Sequence, residues 1–217
     1  MKLLSIRIAR SIWLVQLTHL NPRGQYLVPA VSSIVNRYGF AKPPDPKSLT
    51  ETPLKIAFEL GSYVRSAGSP VAVNLTLHDD GLVAETRSST DDADGFLHDL
   101  LTYVEREFSL PSYLEVGVKK IYASEIYFQL PKAPSVFNQK FSKFAKAISL
   151  GRNSDDLKPA EPVALIFGTD PAKGQQSLLR IEREVNVPFS EGRYYSFAPL
   201  RTSEHLQLIE AFEASAT

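Results

Sequence analysis

The sequence predicts an α+β fold: a mainly antiparallel sheet with three or four helices packed on it. Three patterns carry that expectation. Val71, Val73, Leu75 and Leu77 alternate with Ala72, Asn74, Thr76 and His78, the period of a strand with one apolar face. Phe96, Leu97, Leu100, Leu101, Val104 and Phe108 then recur at helical spacing, so an apolar sheet face and an apolar helix stripe lie close enough in the chain to cover each other. A second run of the same order starts at Val163 and ends in a helix carrying Leu206, Ile209 and Phe212, which points to two pseudo-repeated β-hairpin-helix cassettes.

Taken in order, residues 3–20 read as a long strand or a bent pair of strands, rich in Ile, Leu and Val and containing Trp13, closed by a turn at Asn21-Pro22-Arg23-Gly24. Val28, Val31, Ile34 and Val35 follow at helical spacing. Pro29 is tolerable there only in the first turn, and Gly39 is placed to take a left-handed cap. Residues 41–53 hold Pro43, Pro44, Pro46 and Pro53 with few apolar side chains, the composition of an extended surface loop. Leu54, Ile56, Phe58 and Leu60 alternate with Lys55, Ala57 and Glu59 as a second strand.

In the first cassette, Asp80-Gly81 is expected to supply the positive φ angles of a tight hairpin. The hydroxyls and carboxylates of Ser88-Ser89-Thr90-Asp91-Asp92 suit the free amides that open a helix. Residues 114–130 read as one long or broken strand, with Lys119-Lys120 as a bulge or turn. Pro134 and Ser135 open a helix whose Phe137, Phe141, Phe144 and Ile148 form one stripe, with Gly151 as its stop. Residues 152–162 serve as a linker or a plain surface connection.

The second cassette has a strand over 163–167, a turn over 170–174, a strand alternating from Leu179 to Val187, a short strand at Tyr194-Tyr195-Ser196-Phe197, and a last helix capped by Thr202 or Ser203. The expected division is residues 1–150 as the main α+β region and 151–217 as the second cassette, sharing one sheet or core.

The chain has 217 residues, enough to bury a core without staples. Lys plus Arg and Asp plus Glu are both 24, a balance that does not advertise nucleic acid or an anionic membrane. There is no cysteine, so disulfides, thiolate nucleophiles and Cys-containing zinc sites are excluded, and a reducing compartment fits. Arg7 and Arg10 interrupt the apolar start before an export signal can form, and the run from Ile12 to Leu17 is far short of the roughly 20 residues that span a bilayer. The expectation is a soluble, cytoplasmic protein that does not enter a membrane.

No Walker loop, dinucleotide-binding glycine motif, nucleophile elbow or HExxH pair occurs. The most reactive-looking cluster is His78-Asp79-Asp80-Gly81, since an imidazole beside two carboxylates suits a divalent metal or a base. With Asp91 it supplies the metal candidates His78, Asp79 and Asp91. Against this, Asp80-Gly81 is what a hairpin asks for, and neighbours on a strand point to opposite faces.

The hydroxyl-rich start at residues 88–94 suits an anion, but Asp91, Asp92 and Asp94 would repel one, and capping explains it. Arg183 stands among apolar residues, where a guanidinium pairs with a carboxylate or lies at a strand end or interface, with anion binding as the functional alternative. The helix expected after Pro134 carries Lys140, Lys143 and Lys146 opposite its phenylalanines, the one basic face worth naming for phosphates. Tyr194, Tyr195 and Phe197 concentrate aromatics near the C-terminus, a composition favoured at protein interfaces.

Three functional classes follow from these features. The favoured one is a non-enzymatic protein-binding or assembly subunit, or a homo-oligomer, with no cofactor. The second is a metal-dependent hydrolase with a dispersed site of His78, Asp79, Asp91 and Glu125. The third is a nucleic-acid-binding accessory protein using the lysine face.

Overall fold

A computed structural model describes residues 1–22, 24, 27–65, 68–131, 143, 147, 163–170, 172 and 179–216. The fold is α+β and antiparallel, as the alternation predicts. The chain divides into two compact units. The larger comprises Ile6–Ser124 with Pro199–Ser203, and the second comprises Met1–Ser5, Glu125–Ala198 and Glu204–Thr217. The division falls inside a strand, and residue 150, where a boundary was expected, lies outside the described residues.

The larger unit runs β1 (Lys2–Leu14) from Ile6 on, α1 (Leu17–Leu20), α2 (Leu27–Tyr38), β2 (Lys55–Val64), β3 (Pro70–His78), β4 (Gly81–Thr86), α3 (Thr90–Phe108), α4 (Tyr113–Val116) and the first half of β5 (Lys119–Gln129). Its strand order is β2-β3-β4-β1-β5. The pattern of Val71, Val73, Leu75 and Leu77 places all four inside, and Val73, Leu75 and Leu77 join one core with Phe58, Trp13 and the Phe96, Leu97, Leu100 stripe of α3. Burying each such side chain is worth about 1.5–3 kcal/mol. Ser89 caps α3, its Oγ accepting from the Asp92 amide at 3.0 Å.

Several expectations need correction. Residues 17–20 are a turn of helix and not strand, as are Tyr113–Val116, so the strand expected over 114–130 begins only at Lys119. The β3–β4 hairpin turns through Asp79 and Asp80, with His78 opposite Gly81, and neither Asp80 nor Gly81 takes positive φ. Gly81 is required for another reason: a Cβ there would stand 2.7 Å from the Trp13 carbonyl oxygen of the neighbouring strand.

On β2 the register slips between Phe58 and Gly61, and Leu60 takes φ 59° with its side chain outward. The bulge shifts the inward phase from Ile56 and Phe58 to Gly61 and Tyr63. The loop over 41–53 is surface-exposed as expected, with one 3₁₀ turn, Pro46–Leu49, inside it.

The second unit holds the rest of β5, then β6 (Ala164–Phe167), β7 (Leu179–Arg183), β8 (Arg193–Ala198) and α5 (Thr202–Ala216) from Glu204 on. Its strand order is β5-β8-β7-β6. The strand expected to reach Val187 stops at Arg183, because Asn186 turns the chain with φ 65° and Val185 is left exposed. The helix expected from Pro134 to Gly151 and the connection over 152–162 lie outside the described residues, Lys143 and Ala147 excepted.

The two units repeat one topology. A first strand (β1 or β5) lies beside the last strand (β4 or β8) of a three-strand antiparallel meander, and a helix (α3 or α5) follows that last strand. The repeat therefore includes β2, so the matching cassettes are β2-β3-β4-α3 and β6-β7-β8-α5, one strand longer at the first copy than the alternation of residues 71–108 indicates.

Candidate functional site

Strand β8 sorts the aromatic cluster by alternation. Tyr194, Ser196 and Ala198 are fully buried, whereas Tyr195 and Phe197 lie half-buried on the opposite face. Tyr194 stacks on Phe128 of β5 with ring centroids 5.6 Å apart. It is therefore a core residue closed to any outside partner, and the interface candidates narrow to Tyr195 and Phe197. Tyr127 of β5 stands beside Tyr195 with centroids 5.5 Å apart. The Arg180 guanidinium lies 5.6 Å from the Tyr195 ring and pairs with Glu182 at 3.1 Å. Burial, with the charge of Glu125 nearby, raises the Tyr195 phenol, so it stays a neutral donor. Helix α5 packs on the other face, where His205 Nε2 and Ser196 Oγ are 2.8 Å apart. The Tyr195 face thus combines half-buried aromatic rings with a charge pair.

The Ser196–His205 pair resembles a nucleophile and base, yet both residues are at zero exposure. Ser196 Oγ also donates to the Arg180 carbonyl at 2.8 Å. Burial lowers the His205 pKa to about 4, which keeps the imidazole neutral. The pair is an internal strut between β8 and α5.

No family model matches the chain, and neither a curated protein nor a solved structure does.

The metal candidates do not converge. His78 and Asp79 sit where β3 turns into β4, and Asp91 sits past the far end of β4, in the first turn of α3. Asp79 Oδ2 accepts from the Leu54 amide at 2.9 Å, and Asp91 pairs with Arg201 at 2.8 Å. Among the described residues, no three His, Asp or Glu side chains are grouped to hold a metal ion. Glu125 lies on β5 near Arg180 and Tyr195. Of the basic face, Lys143 is helical and exposed, and Lys140 and Lys146 lie outside the described residues. Arg183 donates to the Phe189 carbonyl at 3.2 Å and lies 4.1 Å over the Phe189 ring, so it fastens the loop between β7 and β8. No helix among the described residues is long and apolar enough to cross a membrane.

A polar cluster in the larger unit centres on Asp94, expected from the sequence only as a repelling charge. Its Oδ1 accepts from Ser11 Oγ at 2.8 Å and Trp13 Nε1 at 2.7 Å, and its Oδ2 from Lys120 Nζ at 3.0 Å. Lys120 also lies 4.0 Å over the Trp13 ring, and Arg201 lies 4.0 Å over Tyr122. Burial alone would raise the Asp94 pKa, but the hydrogen bonds from Lys120, Ser11 and Trp13 outweigh it and hold the carboxyl below its usual range. A readable signal exists for it: Ser11 is a polar residue between Ala9 and Trp13 on the buried face of β1, and such a residue needs a partner.

Proposed function

We propose that the protein works by binding another polypeptide, as an assembly subunit or as a homo-oligomer, and that the Tyr195 face of the second unit is the contact surface. The observation that carries this reading is the alternation of β8, which leaves Tyr195 and Phe197 on the face opposite the His205–Ser196 contact, beside Tyr127 and the Arg180–Glu182 pair. Aromatic rings flanked by arginine are the composition of binding hot spots, where large rigid side chains bring area at small entropic cost. The Ser196–His205 pair is sealed from substrate, which favours binding over turnover. The cysteine-free composition supports a cytoplasmic site of action.

The test is site-specific photo-crosslinking in the producing cells, with a benzoyl-phenylalanine replacing Tyr195 or Phe197 in turn. Exposed Leu114 of the larger unit serves as the control position. Discrete adducts are expected from 195 and 197 and none from 114. Self-association gives an adduct at twice the 24.1 kDa chain mass, to be matched by light scattering on the purified chain. Adducts equally frequent at all three positions, or absent from 195 and 197, overturn the reading.

A further inference from the structure

The register of β6, β7 and β8 lines up the Tyr195 face of the second unit in two rows. One row is Ile166, Arg180 and Phe197, and the next is Ala164, Glu182 and Tyr195. Residues two apart on a strand share a face, so both rows lie on the same side of the sheet. Each row reads aliphatic, charged, aromatic, and the sign of the charge reverses between them. The centre of the rows is open: Ile166 is 61% exposed, and the side chains of Arg180 and Glu182 are 43% and 32% exposed.

A surface fits its own copy when a two-fold rotation carries each group onto a complementary one. An axis that crosses the strands between the two rows does so. It sets Arg180 against the partner's Glu182, Phe197 against the partner's Tyr195, and Ile166 against the partner's Ala164, each contact made twice. An axis along β7 would set Arg180 on its own counterpart, and like charges in contact are strongly disfavoured. The favoured rotation gives two sheets with aligned strand directions, an ordinary way for sheets to pack, about 30° apart because of their twist. Each guanidinium then meets one carboxylate of its own chain, at 3.1 Å, and one of the partner's. An exposed ion pair adds little to the stability of a single chain, but two pairs in alternation fix the register of a contact. The formal net charge of zero leaves no long-range repulsion between copies.

We propose that the partner of the Tyr195 face is a second copy of this chain, packed sheet on sheet about a two-fold axis that crosses β7 between Arg180 and Glu182. This rests on the reading of that face as the contact surface.

The test is the mass in solution, by light scattering and sedimentation, of the unaltered chain, of Arg180→Glu and Glu182→Arg separately, and of an equimolar mixture of the two variants. The unaltered chain is expected at twice its 24.1 kDa mass. Each variant alone sets like charges against each other across the axis and is expected to raise the dissociation constant roughly tenfold or more. In the mixture a doubly acidic copy faces a doubly basic one, so the dimer is expected to return, although the ion pair within each chain stays broken. That return separates a contact between copies from one within a chain. Ile166→Glu, at a position open to solvent in the single chain, is expected to weaken the dimer as well, and it decides the matter where a charge variant fails to fold. A monomeric unaltered chain, a dimer that a charge variant or Ile166→Glu leaves intact, or a mixture that stays monomeric overturns the proposal. A monomeric chain whose positions 195 and 197 crosslink to a different protein overturns the second copy alone, whereas no adduct from either position overturns the contact surface as well.

Discussion

Thr90 and Thr202 hydrogen-bond each other reciprocally: the Thr90 amide donates to Thr202 Oγ1 at 3.0 Å, and the Thr202 amide donates to Thr90 Oγ1 at 2.9 Å. Each is the first residue of its helix, α3 or α5, and both are buried. First-turn amides have no partner within their own helix, so each threonine supplies the acceptor the other helix lacks. Both threonines belong to the larger unit, and the exchange pins the two helix starts to each other there.

Replacing either threonine by valine keeps the volume, removes one acceptor and strands one buried amide. Thr90→Val and Thr202→Val are each expected to lower stability by about 1–3 kcal/mol, read as a fall in the urea midpoint at constant slope. The double variant should fall short of the sum, because the two residues share one contact. Midpoints unchanged in both single variants would contradict the reciprocal bond.

Asp94 makes a second prediction. Asp94→Ala leaves the Trp13 indole N–H and the Ser11 hydroxyl with one shared contact at 3.0 Å, and it leaves Lys120 without its carboxylate. A loss of roughly 2–4 kcal/mol is expected, because the orphaned groups are mostly buried. Asp94→Asn keeps one acceptor and should lose about half as much. Since the folded carboxyl lies below its usual range, its contribution is complete above the unfolded carboxyl pKa and disappears as pH falls through the folded value. Denaturation curves with Trp13 fluorescence, the chain's single tryptophan, check both the order and the pH trend.

What was legible in the sequence is what local period encodes. The strands at residues 55–58 and 71–77, the α3 stripe and its Ser89 cap repeat often enough for one face to declare itself. The four-residue helices α1 and α4 are too short to show a period, and alternation cannot foresee a bulge such as Leu60, which resets the phase halfway along β2. Strand neighbours such as β1 beside β4 depend on contacts distant in sequence. So do the partners of Asp94 and the Thr90–Thr202 exchange, 112 residues apart, and no residue type announces them. Alternation separates Tyr194 from Tyr195 and Phe197, but which side is buried depends on the packing of β8 in its sheet, beside β7, and under α5.

Gly61 tests the bulge. It follows Leu60 at the point where β2 resumes its pairing, and a Cβ built there would lie 2.4–2.8 Å from three atoms of the buried Phe40 ring. Gly61→Ala is expected to cost about 1–3 kcal/mol by overpacking. The paired change Gly61→Ala with Phe40→Leu, which trims the ring, should recover part of that loss relative to Phe40→Leu alone. Thermal unfolding of the four proteins forms the cycle, and additive losses would show that Phe40 is not what excludes a side chain at 61.

His205 gives the fold an acid limit. It is fully buried, bonded to Ser196 Oγ at 2.8 Å, and burial lowers its pKa to about 4 from an ordinary 6.5. The unfolded chain therefore takes up a proton in a range where the folded chain refuses it, so stability increases with pH between about 4 and 6.5 and is lost as pH falls through that window. The full difference is on the order of 3 kcal/mol. His205→Gln keeps a polar side chain without the titration and should flatten the dependence between pH 4 and 6.5, whatever its offset at pH 7. Urea midpoints measured at half-unit steps would decide it: a variant that loses stability as steeply as the unaltered chain across this window would rule out His205 as the titrating group.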